Sequence, residues 1–413
     1  MFAEEIYDLP FKGFENIDLK KMLMGPSETF YMRKKRTREE AIREYINSRL
    51  YDRFDYEYVR KDNNQFVAVY SDMYFRQDHF KNFCGFIKEF AYFDYVIPVK
   101  LEKERLNIKR CLWMLRYDIG NFFLMKKIAM PFEERIYLIR LLGMIRLYVE
   151  RMSVYIDNKG YKYGLVYSDS CPYENILVQM MKHKDMRTAT LQHGYFSAHN
   201  IFKGVEFRAS VSDDFLAWNE YTKDLALECG IPEEKMKVLG IPRYINEPVM
   251  QQETNDAVFS VILGGRALDE ENKKLVNYAN LLAEKEGMKY FLRYHPACTG
   301  TEYSNLVNEK YFVGVEERLE SIKEMCGKSR FSLVGSGTSV VIDLIYLNQP
   351  FFEYKEDWDG KEYQKRSNYF GDIERLAEQV ESKCSIDNSL FEYYCTTKKV
   401  KDNYGKYFES IMN

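Results

Sequence analysis

Histidine is scarce in this chain: His79, His183, His193, His199 and His295 are all of it. Two of the five sit in patterns that could do chemistry. Gln192-His193-Gly194 puts an imidazole on a glycine turn, where it reads as a general base, a phosphate ligand or a satisfied loop histidine. His199, six residues on, is a weaker candidate on the same side. Arg293-Tyr-His295-Pro296 places a guanidinium and an imidazole at the end of a strand-like run. That position suits a pyrophosphate, or the ribose and base of a nucleotide, because open α/β sheets bind ligands at the carboxyl ends of their strands. Its plainer reading is a histidine before a rigid turn.

Small residues supply the next candidates. Val334-Gly335-Ser336-Gly337-Thr338-Ser339 follows a strand-like run and opens a helix-like one. It reads either as an anion site made of backbone N–H groups and hydroxyls, or as a Gly/Ser turn with an N-cap. No lysine follows in the manner of a P-loop. Gly264-Gly265-Arg266 has the shape of an anion turn closed by a guanidinium. In Ser168-Asp169-Ser-Cys-Pro-Tyr-Glu174, Asp169 and Glu174 could act as acid or base, or serve as favourable charges at a helix start. Asp357-Trp-Asp359 matches an Asp-x-Asp metal pattern, but its place in a polar loop makes chance the better reading. No metal site or cofactor is expected.

These residues need elements to hold them. Phe66–Tyr70 reads as a buried strand, residues 74–156 as mostly helical, and Glu133–Ile156 as a core helix with apolar residues at spacings of three and four. From residue 163 strands and helices alternate. Strands are expected at 164–168, 188–191, 215–218 and 237–239, then at 258–263, 289–294, 331–334 and 350–352. Helices are expected at 175–184, 221–228, 270–285, 316–326, 339–347 and 371–380. Such alternation predicts parallel sheets covered by helices. The polar stretch 246–256 divides the series. This gives an N-terminal Rossmann-like domain with helical additions over 1–245 and a C-terminal one over 246–390. The final segment, 391–413, is expected to be helical and to return toward the N-terminal domain.

Composition narrows the function. The 413 residues carry 60 Lys+Arg against 63 Asp+Glu, a balance that argues against a nucleic-acid binder. A hydrophobic fraction of 46% is enough for packed cores and excludes a disordered chain. No apolar run reaches the roughly 20 residues of a membrane span, and the acidic start lacks the apolar region of a secretory leader. With eight scattered cysteines, this predicts a cytoplasmic protein. The run Arg33-Lys-Lys-Arg-Thr-Arg38 reads as a solvated helix start or as a patch for anionic lipid at the inner membrane surface. The 34 tyrosines suit half-buried surfaces, or are compositional drift.

The order of Gln192-His-Gly194, Gly240-Ile-Pro-Arg243, Arg293-Tyr-His-Pro296 and Gly335-Ser-Gly-Thr-Ser339 resembles bacterial GT-B glycosyltransferases of surface and capsular polysaccharide assembly. The nearest patterns are those of sialyl-, polysialyl- and Kdo transferases and of teichoic-acid polyol-phosphate transferases. The resemblance spans about residues 163–380. It implies a metal-independent transferase with two Rossmann-like domains facing a central cleft. It also implies a nucleotide-sugar donor, CMP- or CDP-linked by preference and UDP-linked as an alternative, and a glycan or lipid-linked acceptor. In those families a His-Pro pair and a Ser/Thr pair hold the donor, which implies His295 with Pro296 on the nucleotide and Ser336, Thr338 and Ser339 on its phosphate. His193 takes the place of the base, with Gln192 and Gly194 on the acceptor side. One departure stands out: sialyltransferases follow an acidic pair with glycine, whereas here Asp213-Asp214 precede Phe215. A polyol-phosphate transferase, or a non-catalytic nucleotide-sugar-binding assembly protein, would fit the same scaffold.

Overall fold

The computed structural model describes residues 4–14, 16–32, 37–52, 55–60, 65–71, 77–90, 93–100, 104–157, 159–196, 205–245, 257–265, 268–295, 298, 300–316, 322–335, 338–355, 368–382, 388–396 and 399–412. The chain divides into two compact units. Unit 1 comprises Met1–His193, Ile201–Ala217 and Lys223–Lys237; unit 2 comprises Gly194–Asn200, Trp218–Thr222 and Val238–Asn413. The division falls eight residues before the expected boundary at 245. Residues 391–412 stay in unit 2, where the Asn219 amide donates to the Tyr394 carbonyl (2.6 Å) and the Tyr404 hydroxyl to that of Gly240 (3.2 Å).

Unit 1 contains β1 (Tyr51–Asp52), β2 (Asp55–Val59), β3 (Phe66–Val69), β4 (Phe93–Lys100), β5 (Glu104–Arg105), β6 (Tyr163–Val166), β7 (Arg187–Leu191) and β8 (Asp214–Ala217). β9 (Met236–Val238) completes a seven-stranded sheet of order β2-β4-β3-β6-β7-β8-β9, while β1 and β5 form a separate antiparallel pair. β4, β3, β6, β7 and β8 are mutually parallel and β2 runs antiparallel beside β4. β3 and β6 are buried along their whole length and accordingly carry no alternation in sequence. The stretch 74–156 is mostly helical, as expected, and β4 is its main exception. Its Pro98 lies beyond Phe93–Val96, the stretch paired to β3, so the missing N–H interrupts no ladder on that side.

The helices of this unit are α1 (Leu19–Met32), α2 (Arg38–Leu50), α3 (Gln77–Lys88), α4 (Ile108–Met125), α5 (Phe132–Ile156), α6 (Pro172–Lys182), α7 (Val205–Ala209) and α8 (Glu220–Glu228). α5 is the core helix the spacing indicates: Leu138, Leu142, Ile145 and Met152 are buried against Val67, Val69 and Val166 of the sheet and against Ile176 and Leu177 of α6. Gly164 lets α6 approach β6, since a Cβ there would stand 2.3 Å from the Met181 sulfur. Asp118 of α4 and Arg49 of α2 form a buried two-pronged pair, and the same guanidinium donates to the Ile139 carbonyl of α5 (2.7 Å).

Unit 2 holds β10 (Val258–Ile262), β11 (Lys289–Arg293), β12 (Phe312–Val315), β13 (Ser332–Val334), β14 (Phe351–Tyr354) and β15 (Tyr369–Phe370) in the order β12-β11-β10-β13-β14-β15, all parallel. Counted along the chain this is 3-2-1-4-5-6, the order of dinucleotide-binding folds, with the reversal between β10 and β13. The helices are α9 (Asp269–Glu286), α10 (Ile322–Gly327), α11 (Val340–Tyr346), α12 (Ile373–Glu381), α13 (Asn388–Tyr394) and α14 (Val400–Met412). β12 ends just before the expected 316–326 helix, and Ile322–Gly327, the stretch of that helix among the described residues, is helical as α10.

The tyrosines are largely core residues. Tyr70, Tyr163, Tyr290, Tyr303, Tyr346, Tyr369, Tyr394 and Tyr404 are among the largest fully buried side chains. Several hydroxyls find partners there: Tyr161 donates to Asp94 (2.6 Å), Tyr303 to Asp269 (3.0 Å) and Tyr278 to the Gly371 carbonyl (2.8 Å).

Candidate functional site

In unit 2 the sequence candidates converge at the reversal of strand order. Gly264 and Gly265 lie just past β10, His295 just past β11 and Gly335 just past β13. A Cβ on Gly265 would stand 3.7 Å from His295 Nδ1, so the glycine turn and the imidazole are neighbours. Asn272, buried in α9, fixes that turn. The Gly264 N–H donates to its Oδ1 (2.8 Å), and its Nδ2 donates to the Gly264 carbonyl (3.1 Å) and to the Tyr303 hydroxyl (3.0 Å). The result is a preset turn beside an exposed imidazole.

Gly335 faces a group the sequence reading missed. A Cβ there would stand 2.7 Å from Glu271 Oε1, a carboxylate in the first turn of α9. No motif marks Glu271, which lies 64 positions from Gly335 and meets it only because β10 and β13 are adjacent. Ser339 is exposed at the start of α11 and makes no capping bond, while the Thr338 hydroxyl accepts the Val340 N–H at 3.4 Å. Arg293 lies near the Cys326 thiol of α10, where its charge opposes the burial that pushes that thiol up to about 12. Arg266, Pro296, Ser336, Gly337, His199 and the pair Asp357 and Asp359 lie outside the described residues.

Unit 1 gathers its own polar residues at strand ends. Its sheet reverses order between β3 and β6, and there the Ser71 N–H donates to Glu174 Oε1 (3.1 Å) across the two strand ends. Glu174 is fully buried near Tyr148, whose ring stacks on Tyr173 at 4.7 Å. Burial and then the Glu174 charge hold the Tyr148 phenol well above its ordinary pKa. Asp169 accepts three bonds on Oδ2: Ser210 Oγ (2.9 Å), Val211 N–H (2.8 Å) and Ser212 N–H (2.8 Å). It therefore pins the loop 210–212 to the end of β6.

His193 is different. It lies two residues past β7, is partly exposed, and packs against two aromatic rings that the sequence did not connect with it: His79 of α3 (centroids 5.8 Å) and Tyr167 (6.4 Å). His79 is itself 5.3 Å from Tyr167. Gln192 is buried and its N–H bonds to the Leu216 carbonyl (3.1 Å). Asp213 and Asp214 sit at the opposite ends of the strands, where β8 begins beside β7. Asp213 accepts from Thr188 and pairs with Lys182, contacts that hold its carboxyl below the ordinary value despite burial; Asp214 pairs with Arg187. The acidic pair is thus spent on structure, away from His193.

Among the described residues no group of three His, Cys, Asp or Glu side chains could hold a metal ion, and no helix is long and apolar enough to cross a membrane.

No family model and no curated protein matches the sequence. Solved structures do resemble the fold. The chain superposes on the S. aureus MnaA–UDP co-structure with a TM-score of 0.52 at 10% identity, covering 85% of this chain and 97% of that one. The Neisseria meningitidis UDP-GlcNAc 2-epimerase bound to UDP-GlcNAc gives 0.49 at 12% identity, covering 84% and 99%. The lipopolysaccharide outer core galactosyltransferase WaaB in its apo form gives 0.43 at 12% identity, covering 65% and 81%. At these identities the likeness is one of fold, and the two doubly wound α/β units are those of the GT-B class.

Proposed function

We propose that this protein is a glycosyltransferase of surface polysaccharide synthesis that takes a sugar from a pyrimidine-nucleotide donor to a glycan or lipid-linked acceptor. The observation that carries the reading is the gathering of glycines at the strand ends of unit 2, Gly264 and Gly265 beside His295 and Gly335 past the neighbouring β13, at the reversal of a 3-2-1-4-5-6 sheet, where folds of this order bind ligands. Backbone without Cβ atoms admits phosphate oxygens closely, and His295 and Arg266 would meet the charge. Glu271 is a poor neighbour for phosphate but a good acceptor for ribose hydroxyls. The resemblance to CMP- and CDP-using enzymes and the UDP in the MnaA co-structure share the pyrimidine nucleotide.

In the proposed reaction His193 takes the proton of the acceptor hydroxyl. The oxygen forms its bond to the anomeric carbon, and the sugar–phosphate bond breaks with its electron pair leaving on the nucleotide. The phosphate's developing charge would be stabilised by His295, Arg266 and the hydroxyls of Ser336, Thr338 and Ser339, so the step needs no metal. Pro296 and Gly337 would shape the donor loops, and Gln192, Gly194 and His199 the acceptor side. Asp169 and Glu174 are left to structure. The work would take place at the cytoplasmic face of the membrane.

The test is a thermal-shift panel of CMP, CDP, UDP, GDP and dTDP. A ligand at 100 times its dissociation constant stabilises by about 2.7 kcal/mol, an easily seen shift. Stabilisation by CMP, CDP or UDP and not by GDP supports the reading, and no response to any nucleotide sinks it. If a nucleotide sugar is converted to its epimer without acceptor, an epimerase replaces the transferase.

A further inference from the structure

The outer face of α4 is apolar. Its inner face buries Met114, Asp118, Asn121 and Met125, and Asp118, the helix's one acid, is consumed by Arg49. On the other side Ile108, Leu112, Ile119 and Phe123 are 76%, 61%, 58% and 59% exposed. Spacings of four, seven and four put these side chains in one stripe about 60° wide along a helix about 27 Å long. The exposed charges bordering it are Lys109, Arg116, Lys126 and Lys127, all cationic. Single exposed apolar side chains are ordinary on a protein surface, but an aligned set of four with a one-sign border is not. The contrast with α5, where Val154 alone among the large apolar residues is exposed and most of the others pack in or against the core, is direct.

We propose that this face of α4 docks on an anionic lipid bilayer. The apolar stripe would enter the boundary between headgroups and acyl chains, and the cations would meet lipid phosphates. Lys126 fits that geometry: its ammonium lies 5.0 Å from the Phe123 ring, the stem following the apolar surface while the charge stays at its edge. Charge decides between occupants. Two copies of this face brought together would oppose lysine and arginine with no exposed acid on α4 to pair them, whereas an anionic surface pairs with every one. The basic run 33–36 lies outside the described residues and the inference does not use it; nor does it depend on the transferase reading.

The experiment is flotation of the full chain with vesicles of phosphatidylcholine alone and with added phosphatidylglycerol, at low and high salt. Wild type should bind the anionic vesicles at least tenfold better than the neutral ones, and less at high salt. Leu112→Ser/Phe123→Ser and, separately, Lys126→Glu/Lys127→Glu should each lose at least tenfold in binding while melting at the wild-type temperature, because these side chains are exposed. Wild type that fails to float with anionic vesicles overturns the proposal, as do two folded variants that float as wild type does. A wild-type dimer that Leu112→Ser/Phe123→Ser makes monomeric would give the face to a second copy and overturn it equally.

Discussion

Asp169 and Gly335 occupy comparable places, each just past a strand that borders the reversal of a parallel sheet. Asp169 is 1% exposed and spends one carboxylate oxygen on three donors of the loop 210–212. Gly335 has no side chain, and the nearest group across from it is a carboxylate 2.7 Å from where a Cβ would be. In unit 1 the strand ends are filled by the protein's own polar groups. In unit 2 the strand ends carry glycines, met by Asn272 at Gly264 and by Glu271 at Gly335, with His295 exposed beside Gly265. A buried acid already bonded to its own loop is poorly placed to exchange a proton with a ligand. A turn without Cβ atoms leaves room for one. The two sheets share a ground plan and differ in what meets the strand ends; under the proposed reading unit 2 takes the ligand there and His193 is the reactive group of unit 1.

The most severe test falls on that remaining group. His193→Ala should lower kcat by about 100- to 10,000-fold, the usual size of a lost general base, with the melting temperature and nucleotide affinity unchanged. Full turnover in the variant would leave unit 1 without a chemical role. Asp169→Ala should act the other way, as a folding defect. Losing an acceptor that satisfies one buried and one half-buried N–H group and a hydroxyl should cost about 3 kcal/mol in a urea melt. An Asp169→Asn variant as stable as wild type but inactive would return the carboxylate to the chemistry and break the comparison.

Unit 2 also buries a carboxylate, and it sharpens the point. Asp343 of α11 is held by the Arg243 guanidinium (2.7 Å) and the Tyr244 hydroxyl. Burial outweighs Arg243 and pushes its pKa from 3.8 up to about 6. Between those values the folded chain holds a proton that the unfolded chain has released. Its contribution to stability is therefore full below pH 3.8 and is lost as pH rises through about 6, a change of at most about 3 kcal/mol. Asp343→Asn should remove that component, read as the difference between wild-type and variant stability from pH 4 to 7. A difference that stays flat across the window would mean that Arg243 and Tyr244 offset the burial.

The alternation of strands and helices from 163 onward was readable because buried parallel strands are short apolar runs and their crossover helices are amphipathic. β4 was not readable: Phe93–Lys100 contains Pro98 and lies between helical stretches, and only its pairing with β2 and β3 makes it a strand. The glycine turns and the two motif histidines were visible because each is a local pattern. Glu271, His79 and Asn272 were not, because each acquires its place from strand order. Asp169 and Glu174 were visible but ambiguous. Only the partners of their oxygens distinguish an anchored acid from a reactive one.

The smallest effect is the most discriminating for unit 2. Gly335→Ala adds one methyl group at a buried glycine whose nearest neighbour is the far end of a flexible side chain, so the fold should tolerate it within a degree or two of melting temperature. The Cβ would nevertheless stand 2.7 Å from Glu271 Oε1, and either the carboxylate or the loop must move. If the crevice binds a nucleotide through backbone at 335 and through Glu271, the substitution should weaken binding about tenfold, near 1.4 kcal/mol, by isothermal titration with the best nucleotide of the panel. Glu271→Ala should weaken it to a similar degree by removing the ribose acceptor. The double variant should then bind about as well as Glu271→Ala alone, because the displaced carboxylate is already gone. If the two losses instead add, Gly335 contacts the ligand independently of Glu271. If neither substitution changes the affinity, the nucleotide lies elsewhere, and the crevice is no more than a tight turn between two strands.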